Sequence, residues 1–192
     1  MGTTQPIKDL KEIQQLKDYF QSKGEFRNYL LIVIGLNTSL RISDILRLQW
    51  KDVYHFEKKS YRHHIYLTEK KTGKSNAVAL NNATVTALKR YQKLTEYFVP
   101  EGYIFQSRKG ENQPISRTRA YAIIKEAACY LGLDEHISCH SLRKTFGYQA
   151  WKRGVPPALL MSIYNHSSYE ITKRYLGIGQ DERDSVFLEM TL

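Results

Sequence analysis

The chain has 192 residues, 42% of them hydrophobic, and a formal net charge of +10 with a sequence pI ≈ 9.5. That length suffices to bury one sizeable core, so a single domain over residues 1–192 is expected, and the basic excess favours an anionic polymer as partner. The longest apolar run, Tyr29 to Leu36, is far too short to cross a bilayer and follows no signal-peptide pattern, so a cytoplasmic protein is expected.

In chain order, Leu10, Ile13, Leu16 and Tyr19/Phe20 recur at helical spacing up to Gly24. A more hydrophobic helix over about Phe26 to Thr38 belongs deep in the core. A third begins near Arg41 and carries Ile42, Ile45, Leu46 and Leu48. Between Ser60 and Leu80 the period becomes two. Tyr61, His63, Ile65 and Leu67 alternate with Arg62, His64, Tyr66 and Thr68, and the chain turns at residues 70–74 into Ala77–Leu80, which predicts a β-hairpin. Helix resumes from about Ala83 to Tyr97 and breaks at Pro100-Glu101-Gly102.

Ser116 is placed to cap a helix running to about Leu131, with Gly132 just beyond. The next helix holds His140 and Arg143 and stops before Gly154, and Pro156-Pro157 open another that runs to His166. Tyr175 falls on a further short helix. The fold class is therefore α+β: one mainly helical domain with a small antiparallel hairpin. Cys129 and Cys139 lack paired metal spacing, suit a reducing compartment, and are expected as small buried hydrophobes.

The chemistry concentrates in a few residues. Arg41 sits in Ser39-Leu40-Arg41-Ile42-Ser43-Asp44-Ile45-Leu46, and downstream stand His140-Ser141-Leu142-Arg143, His166-Ser167-Ser168 and Tyr175. An arginine fork matches phosphate oxygens bidentately. Histidine exchanges protons near neutral pH, and a tyrosine oxygen can be a covalent nucleophile. No metal-ligand cluster is evident, so the set points to breakage and joining of DNA with neither metal nor cofactor. Attack on a phosphodiester loads charge onto its nonbridging oxygens, and Arg41 and Arg143 would cradle it. Asp44, three residues after Arg41, is placed to hold that side chain in its working rotamer. His140 and Arg143 share a helix face, and His140 is the candidate acceptor for the Tyr175 proton.

In order and spacing these residues resemble the tyrosine recombinases, or phage-type integrases. The first arginine lies in the family's Gly-Leu-Arg-x-x-Glu/Asp-Leu helix, matched by 39–46. A hairpin lysine, often in Lys-Thr-Gly, is matched by Lys71-Thr72-Gly73. His140 and Arg143 match His-x-x-Arg, Asn165-His166-Ser167-Ser168 matches Gly-His-Ser-Ser, and Tyr175 follows nine residues after His166. The likeness covers nearly the whole chain. Asn165 replaces the usual glycine, and Lys144 replaces the histidine common after the second arginine.

The resemblance implies a 3′-phosphotyrosyl intermediate on Tyr175, with His166 donating to the phosphate as a tryptophan does in some relatives. It implies Lys71 as proton donor to the departing 5′-oxygen. It further implies a catalytic domain normally preceded by a DNA-clamping domain, residues 1–6 being a linker. The partner would be paired sites on double-stranded DNA, bound by four protomers that are mostly monomeric without DNA. Residues 178–192 would form a tail with Val186, Phe187 and Met190 in one apolar stripe, folding back or docking into a neighbour.

Other classes are discriminated by definite observations. Glu69-Lys70-Lys71 with Asp52 would suit a metal-dependent nuclease, which chelator would silence. Arg117, Arg119 and Lys125 would give a non-catalytic DNA-binding module a basic helix face. A type IB topoisomerase would relax supercoils without paired sites.

Overall fold

A computed structural model describes residues 4–68, 73, 75–134 and 136–190. Helix α1 (Leu10–Ser22) starts where the Asp9 carboxylate accepts from the Lys11 amide at 2.7 Å, and it buries Leu16, Tyr19 and Phe20. Helix α2 (Phe26–Thr38) is apolar nearly all round, with every residue from Leu30 to Gly35 buried, and it forms the centre of the molecule. It ends at Ser39, which takes the left-handed conformation with φ 52°.

The helix expected from Arg41 through Leu48 is cut short to α3 (Ile42–Ile45), and a separate helix, α4 (Trp50–Val53), follows. Between them Gln49 is extended and bridges Tyr103, while the Ile104 amide donates to the Leu48 carbonyl at 2.9 Å. The break seats Trp50, fully buried, against Tyr91 and Phe98. The Asp52 carboxylate is engaged as a cap, accepting from the Gln49 amide at 2.8 Å.

The expected hairpin is present with a different start. Strand β1 (Tyr54–His55) pairs antiparallel with β2 (Ser60–Tyr61), so Tyr61 belongs to this first ribbon. The second ribbon joins β3 (His64–Thr68) to β4 (Ser75–Ala79) with Ile65 opposite Val78. Of β3, only Ile65 is buried. Helix α5 (Asn82–Gln92) ends earlier than its pattern suggests, because the chain turns so that Phe98 packs on Tyr54, Phe56 and Trp50. Helix α6 (Arg117–Tyr130) begins as expected at Ser116, whose hydroxyl accepts from the Arg119 amide at 3.1 Å.

The last four helices are α7 (Cys139–Lys152), α8 (Pro157–Tyr164), α9 (Tyr169–Leu176) and α10 (Gln180–Glu189). The α+β reading holds: the described residues are mainly helical, with two small antiparallel sheets. Its hydrophobic interior falls into two clusters. The larger surrounds α2, and the smaller joins Tyr148, Leu160, Tyr164, Leu176 and Ile178. Helix α7 serves both, and two close approaches fix it there. A Cβ on Gly35 would stand 2.6 Å from Leu142 Cδ1, and one on Gly147 would stand 2.5 Å from the Tyr164 hydroxyl.

The cysteine expectation fails for Cys129, which is exposed, and Cys139 is half-buried. On α6 the buried face runs through Ala120, Ile123, Ile124, Ala127 and Ala128, and Cys129 falls beyond that arc. Among the described residues no helix is long and apolar enough to cross a membrane.

Candidate active site

Each expected side chain arrives at the site for a local reason. Arg41 precedes α3 in extended conformation, just after the left-handed turn at Ser39. Arg143 lies on α7 next to Leu142, the residue wedged against Gly35 of α2, so the packing of α7 on α2 carries the second arginine to the first. Arg143 is 5% exposed, and its guanidinium donates to the Ser39 carbonyl and lies 4.8 Å from the Tyr164 ring centre. The loop carrying Arg41 is thus tied to the helix carrying Arg143.

Asn165 explains its own departure from glycine. It ends α8 with φ 54° and ψ 49°, a left-handed conformation that asparagine tolerates better than other side chains. This reversal turns His166 back over the end of α8, its amide donating to the Met161 carbonyl at 3.0 Å. The imidazole stacks on Tyr164 at 5.6 Å and meets Tyr175 edge-on at 5.2 Å between ring centres. Ser168 then caps α9, its hydroxyl accepting from the Ile171 amide at 3.3 Å. Two turns into α9 stands Tyr175, 5.3 Å from the Tyr164 ring.

Electrostatics bind these groups into one unit. Burial pushes the Tyr175 phenol above its ordinary pKa; the charge of Arg143, a hydrogen bond from the same guanidinium, and the charge of Arg41 pull the other way. Burial lowers the pKa of His166, and Arg143 and Arg41 lower it further. Arg41 and Arg143 thus both act on His166 and on Tyr175. His140, exposed near the start of α7, lines an open cleft with Arg41, Ile42, Ser43, Leu46, Arg47, Ile115 and Arg117. Asp44 is buried in α3, with its amide bonded to the Arg41 carbonyl at 2.9 Å. Lys71 and Glu69 lie outside the described residues.

Three residues beyond the sequence-derived set belong to the site. Tyr164 is wedged between Arg143, His166 and Tyr175, and its hydroxyl donates to the Arg143 carbonyl at 2.7 Å. Thr172 lies 3.1 Å from His166 Nδ1 through its hydroxyl. Lys144 places its ammonium 5.2 Å from the Tyr175 ring centre and donates to the Thr4 carbonyl at 2.5 Å, and burial lowers its pKa. The segment 4–8 runs along α7 by this contact and two more, Ile7 amide to Thr145 hydroxyl and Gln149 amide to Lys8 carbonyl, each at 2.8 Å. Thr172 had one available signal, its position three residues before Tyr175 on the same helix face.

The sequence profile of the phage integrase family matches residues 8–181. A probable integrase/recombinase of Bacillus subtilis, YoeC, is 41% identical over 181 residues, covering 94% of this chain and 93% of its own. The type 1 fimbriae regulatory protein FimB of Escherichia coli is 32% identical over 151 residues, covering 78% of this chain and 72% of its own. Among solved structures, the XerA recombinase superposes with a TM-score of 0.75 at 18% identity, covering 97% of this chain and 64% of its own. The XerH recombinase bound to its difH substrate gives 0.72 at 22% identity, covering 98% of this chain and 55% of its own. The chain thus spans under two thirds of either solved recombinase, and at those identities the likeness is one of fold.

Proposed function

The chain belongs to the phage integrase family, and on that premise we propose that it is a site-specific recombinase that breaks and rejoins DNA through a covalent 3′-phosphotyrosyl intermediate on Tyr175, with neither metal nor ATP. The observation that carries this reading is the meeting of the Tyr175 and His166 rings, 5.2 Å apart, on the Tyr164 ring that also lies 4.8 Å from the Arg143 guanidinium, with the charges of Arg143 and Arg41 acting on the phenol. A half-buried phenol beside two arginine charges can become an oxygen nucleophile next to a phosphate cradle once a neighbouring group accepts its proton.

In the proposed step the Tyr175 oxygen attacks phosphorus, the bond to the 5′-oxygen breaks, and a phosphotyrosine ester forms. Arg41, Arg143 and His166 hold the nonbridging oxygens. His140 takes the phenol proton, Lys71 gives one to the departing 5′-oxygen, and Asp44 keeps Arg41 in position. Attack on the ester by the 5′-hydroxyl of another strand restores the phosphodiester, so no external energy source enters. The net charge of +10 and the cleft lined by Arg41, Arg47, Arg117 and His140 support double-stranded DNA as the partner. XerH has been solved on its difH site and the Tn1549 integrase on transposon DNA. We take the working assembly here to be a tetramer on paired sites, formed from protomers that are mostly monomeric without DNA, acting in the cytoplasm.

The test is a nicked suicide substrate that traps the covalent intermediate. Wild-type protein should yield an SDS-stable protein–DNA adduct unaffected by chelator. Tyr175→Phe, which removes one oxygen, should bind DNA and give no adduct. An adduct persisting in that variant overturns the assignment of Tyr175, and one abolished by chelator overturns the metal-free mechanism.

A further inference from the structure

Thr172 is fully buried on α9, and its hydroxyl oxygen makes two contacts. It lies 3.1 Å from His166 Nδ1 and 3.2 Å from the Ser168 carbonyl oxygen. A threonine hydroxyl has one hydrogen to donate and two lone pairs that accept. Given to the Ser168 oxygen, that hydrogen leaves the Thr172 oxygen free to accept from an Nδ1–H, and both contacts are hydrogen bonds. Given to Nδ1 instead, it leaves the contact with Ser168 as two oxygens with no hydrogen between them. The first arrangement makes both hydroxyl contacts hydrogen bonds, the Ser168 carbonyl accepting also from the Thr172 amide at 3.3 Å.

We propose that Thr172 is a positioning residue that acts through His166: its hydroxyl accepts the Nδ1 hydrogen and passes its own to Ser168, leaving Nε2 for a phosphate oxygen. This rests on the reading of His166 as a phosphate-binding residue. A neutral ring with its hydrogen on Nδ1 has a bare Nε2, which cannot donate to phosphate. Donation requires the imidazolium, and an imidazolium needs an acceptor at each nitrogen. Thr172 supplies one and a nonbridging phosphate oxygen the other, so phosphate engagement draws one proton from solvent onto Nε2.

The charged and titratable groups around the ring are consistent with that coupling. Arg41 ahead of α3 and Arg143 on α7 oppose a third positive charge beside them, while Tyr164 on α8 and Tyr175 on α9 contribute aromatic surface. An anionic phosphate held by the same two arginines reverses the opposition. Without Thr172 the half-buried imidazolium loses its acceptor at Nδ1, and its charged form becomes harder to reach.

The experiment measures suicide-substrate cleavage from about pH 5.5 to 9, a range spanning the ordinary histidine pKa, for Thr172→Val, Thr172→Ser, His166→Trp and the double variant Thr172→Val/His166→Trp. Thr172→Val should lose about 10- to 100-fold at neutral pH, the usual cost of removing a group that orients a ligating histidine, with its optimum displaced to lower pH. Thr172→Ser should restore both rate and profile. In the His166→Trp background, where no Nδ1 exists, Thr172→Val should add no further loss. An equal loss in both backgrounds, or an unshifted pH profile, overturns the proposal and makes Thr172 a packing residue. A fifth variant, His166→Ala, tests the reading of His166 itself: wild-type cleavage by it overturns that reading and takes the proposal with it. Nitrogen NMR of the wild-type ring is a check that needs no variant to fold: a neutral ring protonated at Nε2 overturns the relay.

Discussion

Tyr164 holds Arg143 from two sides: its hydroxyl donates to the Arg143 backbone carbonyl at 2.7 Å, and its ring lies 4.8 Å beneath the Arg143 guanidinium. The same ring packs on His166 and Tyr175, so one buried tyrosine seats three of the proposed reacting groups. Tyr164→Phe keeps the ring and removes the bond. Urea unfolding should show a loss of about 0.5–1.5 kcal/mol, the usual net worth of one hydrogen bond, with cleavage per folded molecule largely preserved. Tyr164→Ala should cost about 3–5 kcal/mol, as other large-to-small aromatic core substitutions do, and should abolish cleavage, because α8 and α9 lose what they pack against. A Phe variant as inactive as the Ala variant would move the importance of Tyr164 from its ring to its hydroxyl.

The two arginines should respond differently to truncation. Arg41 is half-buried at the mouth of the cleft, so Arg41→Ala should fold normally and lower cleavage by about 10²–10³, the typical cost of one oxyanion donor, with a much smaller fall in DNA affinity. Arg143 also closes the contact to Ser39 from a buried position. Arg143→Ala should therefore reduce both the melting temperature and the cleavage rate. Arg143→Lys keeps the charge but loses the fork and should recover stability more than activity. Equal losses of cleavage and affinity in Arg41→Ala would reduce that arginine to a backbone anchor.

His166 gives the DNA-free protein a pH signature whose sign is fixed. Its pKa lies below the ordinary 6.5 through burial and then the charges of Arg143 and Arg41. The unfolded chain thus binds more protons between the folded pKa and 6.5, and the contribution to stability is fully present above 6.5 and declines as pH falls toward the folded pKa. The difference between the wild-type and His166→Gln unfolding curves isolates this term from His55, whose pKa is also lowered. NMR titration should place the His166 midpoint below 6.5. A midpoint above that value would mean that the arginine charges do not reach the ring.

Much of the site was legible because its chemistry is local in sequence. His140 and Arg143 share a helix turn, the Asn165–Ser168 segment carries its own turn and cap, and the resemblance to the tyrosine recombinases in order and spacing singled out His166 and Tyr175 as candidates. Tyr164 was not legible, and Thr172 only through its place one turn before Tyr175. Their contacts come from α8 lying against Gly147 and from one hydroxyl meeting one ring nitrogen, and the partner in each contact is set by the tertiary fold. The same limit applied to the fold. A run with good helical spacing from Arg41 to Leu48 was broken by pairing with Tyr103 and Ile104, about 55 residues further on, a long-range contact that overrides local propensity. The β-alternation was real, but Tyr61 was captured by Tyr54 and not by the second ribbon.

The tail divides into an end tied in cis and an end that is not. Glu182 accepts from the Gly179 amide at 2.7 Å and from the Lys8 ammonium at 2.5 Å, which fixes the start of α10 to the segment along α7. Beyond it Phe187 is 79% and Leu188 83% exposed, with Val186 and Met190 beside them, and α10 buries none of its residues. Four adjacent apolar side chains in water on a helix anchored only at its start suit insertion into a second copy of this chain, in the head-to-tail manner that closes a ring. Phe187→Ser with Leu188→Ser leaves Glu182 and its bridge untouched. That double variant should melt within about 1 kcal/mol of wild type, as surface changes usually do, and should bind a single site normally while failing to form higher complexes on paired sites in gel-shift titrations. Lys8→Met provides the contrast, removing a partly exposed ion pair worth about 0–1 kcal/mol while leaving assembly intact. A clear drop in the melting temperature of the dilute double variant would show that the apolar end packs in cis, and unchanged assembly would remove the tail from the subunit contact.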